Sequence, residues 1–296
     1  MYNSSEFELH GIKFYEFDNS EELYKKYHQL DGHYFCSNFE YINKISLNPR
    51  YKVLYLESEF MNNVYVFIYD TSNEQLVAYD LSSYNYLNDN YHHKCDGIKF
   101  MLQKDTERLG YKSGQTYVDA VYLPKGLAFM EGKKYSRIRG NKNNFLHHVD
   151  EDKLLFIPYE QKYKQSVLEL YDNWKSMSKE NGNTFIVDAR VFKDGLDNSY
   201  IHKFLLIYDN KLFGFISYIL QDEWCYIYSM KSTRDIPNQN TYMVHMMWKY
   251  IYENHKEVKY INLGGIDNVD SKGTDYKMLL KPDYLLWYCS NVKVGD

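Results

Sequence analysis

Apolar residues recur at helical or strand spacing through most of the second half of the chain. Residues 160–179 carry a large apolar side chain every three or four positions, which predicts an amphipathic helix. Shorter runs rich in β-branched and aromatic residues predict strands. The predicted order is helices at 160–179 and 191–198, strands at 201–208, 211–220 and 225–230, a buried helix at 242–252, a strand at 258–263, a short helix at 275–280 and a last strand.

The first half has a weaker pattern. A helix is expected at 20–30, where Ser20 precedes two acidic residues and is a suitable N-cap. Residues 102–108 give no clear prediction. Strands are expected at 12–17, 51–57, 63–69, 75–80 and 117–123, and the polar turns between those at 51–80 favour an antiparallel meander.

The composition is that of a globular protein, with 44% hydrophobic and 25% charged residues among 296. The net charge of −5 argues against a general nucleic-acid-binding protein but is compatible with a local basic patch. Four widely spaced cysteines argue against a zinc site and a disulfide framework. The polar N-terminus lacks the features of a secretory signal, and no apolar run reaches the ~20 residues that span a bilayer. We therefore expect a cytoplasmic protein without a membrane span or a bound metal.

A strand that ends in two glycines is the most distinctive stretch. The apolar run at 258–263 predicts a buried strand, and Gly264 and Gly265 allow a sharp turn or the close approach of another chain. A polar loop containing Asp267 follows, and order resumes at Asp275. Asn262 is polar in an otherwise apolar strand, so it is either a group of a site or a hydrogen-bonded core amide.

A basic segment lies near the middle of the chain. Residues 132–142 contain five cations and no acid: Lys133, Lys134, Arg137, Arg139 and Lys142. Such a segment can bind phosphate groups, and arginine is well suited because it binds them bidentately. The alternative is a solvated helix face.

Two of these stretches resemble known families. Residues 240–277 are similar to the end of the GNAT-fold domains of Fem-type aminoacyltransferases, with a helix containing Trp248, a Leu-Gly-Gly-Ile-Asp turn at 263–267, and Lys277 before the last strands. Residues 129–145 (FMEGKKYSRIRGNKNNF) are similar to a basic helix of the phosphatidylglycerol lysyltransferase C-terminal-like family. The resemblance implies an α/β fold of two tandem GNAT-like (acyl-CoA N-acyltransferase-like) lobes with mixed sheets. Its implied divisions are an N-terminal lobe at 1–128, a basic connector at 129–158 and a C-terminal lobe at 159–296.

The resemblance also implies an acyltransferase that moves an aminoacyl group from aminoacyl-tRNA to an amine or hydroxyl of a small-molecule or lipid-linked acceptor. One alternative is an N-acyltransferase that uses acyl-CoA and a small amine or amino sugar. Residues 231–240 occupy the position of the glycine-rich pyrophosphate loop of such enzymes, yet they lack glycine and contain Pro237, which has no N–H. A second alternative is a non-catalytic binding protein. The sequence leaves the oligomeric state open and indicates no cofactor beyond the donor.

Candidate site residues follow from these comparisons. Lys277 is the first candidate for stabilising negative charge, and Asp267 and Asp275 are candidate bases or substrate anchors. A solvated lysine and a turn-forming aspartate are the structural alternatives. The candidate substrate-binding residues are the five cations of the basic segment together with Asn262, Gly264 and Gly265.

Overall fold

The structure is a computed structural model that describes residues 5–28, 32–58, 60–180, 188–233, 235–266 and 276–294. The chain forms two compact units. Unit 1 consists of Met1–Asp119 and Leu285–Asp296, and unit 2 of Ala120–Tyr284. The predicted division into an N-terminal lobe at 1–128, a connector at 129–158 and a C-terminal lobe at 159–296 stays a prediction.

The helices and strands are numbered here in chain order. Those up to residue 122 are β1 (Glu6–Leu9), β2 (Ile12–Glu16), α1 (Glu21–Lys26), α2 (Phe39–Ser46), β3 (Tyr51–Ser58), β4 (Asn63–Asp70), β5 (Gln75–Ala78), α3 (Leu81–Tyr91), β6 (Gly97–Leu102), α4 (Gln103–Leu109) and β7 (Gln115–Tyr122). The rest are α5 (Pro124–Phe129), α6 (Ser136–Leu146), β8 (Leu154–Pro158), α7 (Lys164–Glu180), α8 (Asp188–Gly195), β9 (His202–Tyr208), β10 (Lys211–Gln221), β11 (Trp224–Ser232), α9 (Gln239–Asn254), β12 (Tyr260–Gly265), α10 (Tyr276–Leu279) and β13 (Tyr284–Val292). Within the described residues, every helix is too short or too polar to cross a bilayer.

The sheet of unit 1 runs in the order β1-β2-β3-β4-β5-β6-β13. Neighbouring strands are antiparallel except for the parallel pair β5 and β6. The last strand of the chain therefore belongs to the first unit, where Cys289 lies opposite Met101 and Val292 opposite Ile98. This arrangement makes the unit discontinuous in sequence.

The two faces of the unit 1 sheet are covered differently. On one face, Tyr84 and Leu87 of α3 pack in a buried core with Phe67 and Ala78. This helix begins where the side chain of Asp80 accepts a hydrogen bond of 2.8 Å from the backbone N–H of Ser83, an N-cap. On the other face, the shorter α2 lies against β3.

The sheet of unit 2 runs in the order β12-β11-β10-β9-β8, with β11 and β12 as its parallel pair. Helices α7 and α8 pack on one face, where Tyr171 and Phe192 stack at 4.5 Å between ring centroids. The other face receives α9, whose Met243 is fully buried. A Cβ atom at Gly214 of β10 would lie 2.1 Å from the Met243 sulfur, so glycine at this position permits the close approach of the helix.

The two units repeat one order of elements. In unit 1 the order is β2, α1 and α2, β3, β4, β5, α3, β6, and in unit 2 it is β8, α7 and α8, β9, β10, β11, α9, β12. The parallel strand pair flanks the equivalent helix in each case. The predicted α/β fold with mixed sheets is confirmed, and the repeat supports its description as two tandem halves.

Most predicted strands are confirmed within a few residues, while the helix expected at 20–30 spans Glu21–Lys26. The strand expected at 75–80 ends at Ala78 because Asp80 caps α3. The ambiguous residues 102–108 lie mainly in α4, which starts at Gln103. The four cysteines are free thiols and all are buried.

Candidate functional site

A cavity of about 460 Å³ lies in unit 2 at the start of α9. Three segments line it. The first is α6 of the basic segment, the second is the end of β11 with the start of α9, and the third is α10. The lining residues are Arg137, Ile138, Asn141, Ser232, Ile236, Pro237, Asn238, Gln239, Asn240, Thr241, Tyr276, Leu279 and Leu280. The structure thus brings together three stretches that the sequence marked separately.

The start of α9 is held by its own backbone and by one buried amide. The N–H of Thr241 donates to Asn238 O at 3.0 Å, and Asn238 itself has a positive φ of 64°. The side chain of Gln239 donates to Phe213 O, which ties the first turn to the sheet. Asn238 makes no side-chain cap to the helix, in contrast to the Asp80 cap at the equivalent helix of unit 1. The positive end of the α9 dipole therefore faces the cavity, and the described residues that line the cavity include no carboxylate.

Asn240 is the second residue of α9 and has unused hydrogen-bonding capacity. Its Oδ1 atom is buried and has no hydrogen-bond partner among the described residues. An unsatisfied buried amide oxygen costs about 1–3 kcal/mol, so this acceptor in the cavity wall is available to a hydrogen-bond donor of a ligand. No sequence feature distinguishes this residue, because asparagine near a helix start is common.

The cations of the basic segment have different roles. Arg137, exposed on α6, lines the cavity. Lys134, in a 3-10 turn at Lys133–Tyr135, forms an ion pair of 2.7 Å with Asp283, and Arg139 donates to the carbonyl groups of Met130 and Gly132. Burial opposes the charge of Lys134, but the hydrogen bond with Asp283 raises its pKa overall. Arg137 is therefore the best placed of these residues to bind a ligand in the cavity.

The two remaining cations of the segment do not line the cavity. Lys133 is exposed in the 3-10 turn, and Lys142 is half-buried on α6. The charge of Lys142 contributes, after burial, to the lowered pKa of His245 on α9. His245 lies 3.1 Å through Nδ1 from the carbonyl oxygen of Leu127, a contact within unit 2.

Lys277 lies on α10, beside the cavity wall formed by Tyr276 and Leu279. Its ammonium group donates to the carbonyl oxygen of Gly265, and its own carbonyl accepts a hydrogen bond of 2.7 Å from Tyr122 Oη. The half-buried lysine therefore connects α10 to the Gly264–Gly265 turn. Burial raises the pKa of the neighbouring Tyr276, so this hydroxyl stays protonated near neutral pH.

The Gly-Gly turn is shaped by Asn262. This side chain is fully buried, and its Oδ1 accepts a hydrogen bond of 2.7 Å from the N–H of Gly264. Gly264 has a φ of +83°, a conformation that favours glycine. Of the two alternatives for Asn262, the hydrogen-bonded core amide accounts for this contact, and its role in substrate binding stays a prediction. Asp267 and Asp275 lie outside the described residues.

One buried cation near the cavity escaped the sequence analysis. Lys231, at the end of β11, is buried next to Ser232 of the cavity wall. Its ammonium nitrogen lies 3.5 Å from the centroid of the Trp174 ring and 5.9 Å from that of Tyr171. Alternation along a strand predicts only that such a lysine points to one face, and the aromatic partners come from a helix distant in sequence.

The site as a whole is suited to an anionic group. The start of a helix, a guanidinium and the side-chain amide of Asn141 meet around one cavity, and Asn240 Oδ1 adds an acceptor for a donor group of the ligand. Helix starts attract anions, and an arginine placed nearby supplies a charge-assisted, bidentate contact. The arrangement can therefore bind a phosphate or carboxylate of a ligand whose other parts extend along α10.

Comparisons with known proteins identify the fold. No protein-family model and no curated protein sequence matches the chain. A conserved protein of unknown function from Bacteroides thetaiotaomicron is similar in structure, with a TM-score of 0.73, 14% identity and coverage of 95% of this chain and 99% of that one.

Two further similar structures have informative names. FemX has a TM-score of 0.57 and 12% identity, with coverage of 87% of this chain and 90% of that one. The C-terminal domain of a putative lysylphosphatidylglycerol synthetase from Agrobacterium fabrum has a TM-score of 0.54 and 12% identity, with coverage of 83% and 85%. The fold expected from the resemblance of residues 129–145 and 240–277 is thus the fold observed.

Proposed function

We propose that the protein is an acyltransferase of the kind represented by FemX and lysylphosphatidylglycerol synthetase. The observation that carries this proposal is the meeting of Arg137, the start of α9 and α10 around one cavity. These are the stretches that resemble the two families in sequence. The fold alone hosts many reactions, so the proposal depends on the chemistry of the site.

The proposed donor is aminoacyl-tRNA. Its 3′ end carries phosphates that suit Arg137 and the α9 start, and an aminoacyl ester that is activated for transfer. Acyl-CoA is the alternative donor. A pyrophosphate needs several backbone N–H groups at one helix start, whereas here Pro237 has none and that of Thr241 is bonded to Asn238 O. This arrangement favours a donor that makes fewer phosphate contacts at the start of α9 than the pyrophosphate of acyl-CoA requires.

The proposed reaction is direct transfer. The nitrogen or oxygen of the acceptor attacks the ester carbonyl and a base removes the acceptor's proton. The new bond forms as the bond to the ribose oxygen breaks, and that oxygen takes up a proton and leaves as the hydroxyl of the deacylated tRNA. Lys277 would stabilise the negative charge that develops on oxygen, and Asp267 and Asp275 are the candidate bases. Positioning supplies much of the rate in such a reaction, so no covalent intermediate is needed. We place the reaction in the cytoplasm, where the donor is made, and a small molecule or a lipid-linked compound is the proposed acceptor.

Binding of tRNA to the purified protein tests the donor. A pool of aminoacyl-tRNAs, the same pool after deacylation, and acetyl-CoA as competitor should be compared over a salt series. We expect saturable binding of charged tRNA that weakens with salt, exceeds the binding of deacylated tRNA, and ignores acetyl-CoA. Displacement by acetyl-CoA would favour the acyl-CoA alternative. Binding of neither donor would contradict the proposal and favour a non-catalytic protein.

Arg137→Gln tests the site itself. A charge-assisted hydrogen bond contributes about 1.5–3 kcal/mol, and the exposure of Arg137 favours the lower end, so we expect about tenfold weaker binding of charged tRNA. The slope of log affinity against log salt should fall by roughly 0.7–0.9 if one phosphate contact is lost. Arg108→Gln is a matched control because Arg108 is an exposed arginine in unit 1, paired with Asp105. Equal binding by both variants would remove Arg137 from the site.

A further inference from the structure

Unit 1 contains a cavity of its own, unrelated to the proposed donor site. It has a volume of about 470 Å³ and lies on the sheet face where α2 ends. Helix α2 has eight residues and covers only part of this face. The uncovered part crosses β3, β4, β5, β6 and β13. Its size is within the range of small-molecule sites, about 300–1,000 Å³.

The floor of this cavity is apolar. Ile68 and Val77 lie opposite each other on adjacent strands, and Tyr51 and Ile45 contribute from β3 and α2. Ile68 is buried by the surrounding chain, while Val77 and Tyr51 are half-buried. Side chains on this face alternate with those that form the core under α3, so the surface is a second apolar face of the same strands. It gives an apolar ligand body a place to bind.

The carboxylates at the rim are already used. Asp70 accepts hydrogen bonds from Arg50 Nε at 3.0 Å, from Arg50 Nη2 at 2.5 Å and from the N–H of Ser72 at 3.0 Å. These contacts hold the pKa of Asp70 well below its usual range. Asp96 accepts a hydrogen bond of 2.8 Å from the N–H of Leu76. Asp70 is therefore engaged by Arg50 and Ser72, and it orients Arg50 at the cavity.

Lys99 differs from Asp70 because its hydrogen-bond partner is an uncharged side chain. It is half-buried on β6, and its ammonium donates to Asn291 Oδ1 at 3.0 Å. Among the described residues, no carboxylate lies within ion-pair distance of it. Burial lowers the pKa of Lys99. Lys293, directly after β13, adds a further cation to the lining.

We propose that this cavity binds a small organic carboxylate with an apolar body. The carboxylate would accept hydrogen bonds from Lys99 and Arg50, and the body would lie on Ile68 and Val77. A carboxylate fits because Lys99 and Arg50 both line the cavity, and the apolar floor beside them provides a surface for a hydrocarbon body. The proposal concerns unit 1 and is independent of the donor of the acyl transfer.

Phenylbutyrate and its neutral amide, phenylbutyramide, are suitable probes for titration calorimetry with the full chain. We expect one saturable site for the acid and at least tenfold weaker binding of the amide. Lys99→Gln should weaken the acid about tenfold and leave the amide unchanged, because a charge-assisted contact of about 1.4 kcal/mol corresponds to tenfold. Val77→Gln should weaken both. Lys94→Gln, at an exposed lysine of the same unit, should behave as the unchanged chain.

Four results would overturn the proposal. They are the absence of saturable binding, equal affinity for the acid and the amide, an unchanged affinity in Lys99→Gln, and tighter binding of inorganic phosphate than of phenylbutyrate at the same site. The last result would assign a phosphate ligand without an apolar body. Thermal unfolding of each variant shows that it is folded, so that loss of binding is not loss of structure.

Discussion

The two glycines at the end of β12 should respond differently to alanine. Gly264 has a φ of +83°, whereas Gly265 is not among the residues with positive φ. Alanine in the left-handed region costs about 1–2 kcal/mol. Replacing any glycine by alanine also reduces the entropy of the unfolded chain, which stabilises the fold by about 0.4–1 kcal/mol where the backbone is compatible.

These terms predict a clear difference between the variants. Gly264→Ala should lose about 1 kcal/mol, and more if the buried position cannot accept a methyl group. Gly265→Ala, at an exposed position, should be neutral or stabilised by about 0.5 kcal/mol. Urea unfolding followed by tryptophan fluorescence measures both free energies, with the slope against urea as a check that the same transition is compared.

The outcome also tests the assigned turn geometry. Equal destabilisation by the two substitutions would show that the turn does not require a left-handed residue at 264. A larger loss at Gly265 would show that contacts of its Cα, near the carbonyl that accepts from Lys277, dominate over backbone conformation. Either result would refute the reasoning from φ.

Three other predictions concern single side chains. Lys277→Met should lower the free energy of unfolding by about 0.5–1.5 kcal/mol, because the hydrogen bond to Gly265 is lost. It should also reduce kcat for acyl transfer about 10²–10³-fold. Lower stability with an unchanged kcat would show that Lys277 has a structural role only. Burial, and then the nearby His255 and Lys203, lower the pKa of His202. The stability from the neutral ring should therefore be fully present above about pH 6.5 and should fall as the pH decreases below it. In His202→Gln the decrease of Tm at low pH should be smaller. Trp248 is fully buried and its Nε1 has no hydrogen-bond partner among the described residues, so Trp248→Phe should cost well under the roughly 3–5 kcal/mol of Trp248→Ala in urea unfolding.

The local sequence pattern predicted much of the fold, namely the elements whose residue types match their burial. The runs at 201–208 and 211–220 became β9 and β10 because β-branched and aromatic residues fill a strand with two buried faces. Helix α3 and strand β6 were not predicted. The sequence of α3, LSSYNYLNDNY, has little helical contrast between apolar and polar faces, and its helix depends on the Asp80 cap and on packing against the sheet.

The site was predictable in its parts but not in its geometry. The basic segment and the Gly-Gly turn were recognised, yet all five cations were given one role. Only the structure separates them, because the positive φ values of Met130 and Gly132 bend the preceding loop so that Arg139 reaches its carbonyl groups. Arg137 is two positions earlier on α6 and points elsewhere. The cavity in unit 1 had no signal, since its lining comes from five strands and one helix.

The membership of β13 in unit 1 has a consequence for biosynthesis. The ribosome makes residues 1–119 first, but strand β6 has no partner on that side until residues 285–292 emerge. At about 5–20 residues per second, all of unit 2 is synthesised during a wait of roughly 10–30 s. Unit 2 can therefore fold before unit 1 is complete, while a nascent unit 1 presents an open strand edge of the kind that chaperones must protect from aggregation.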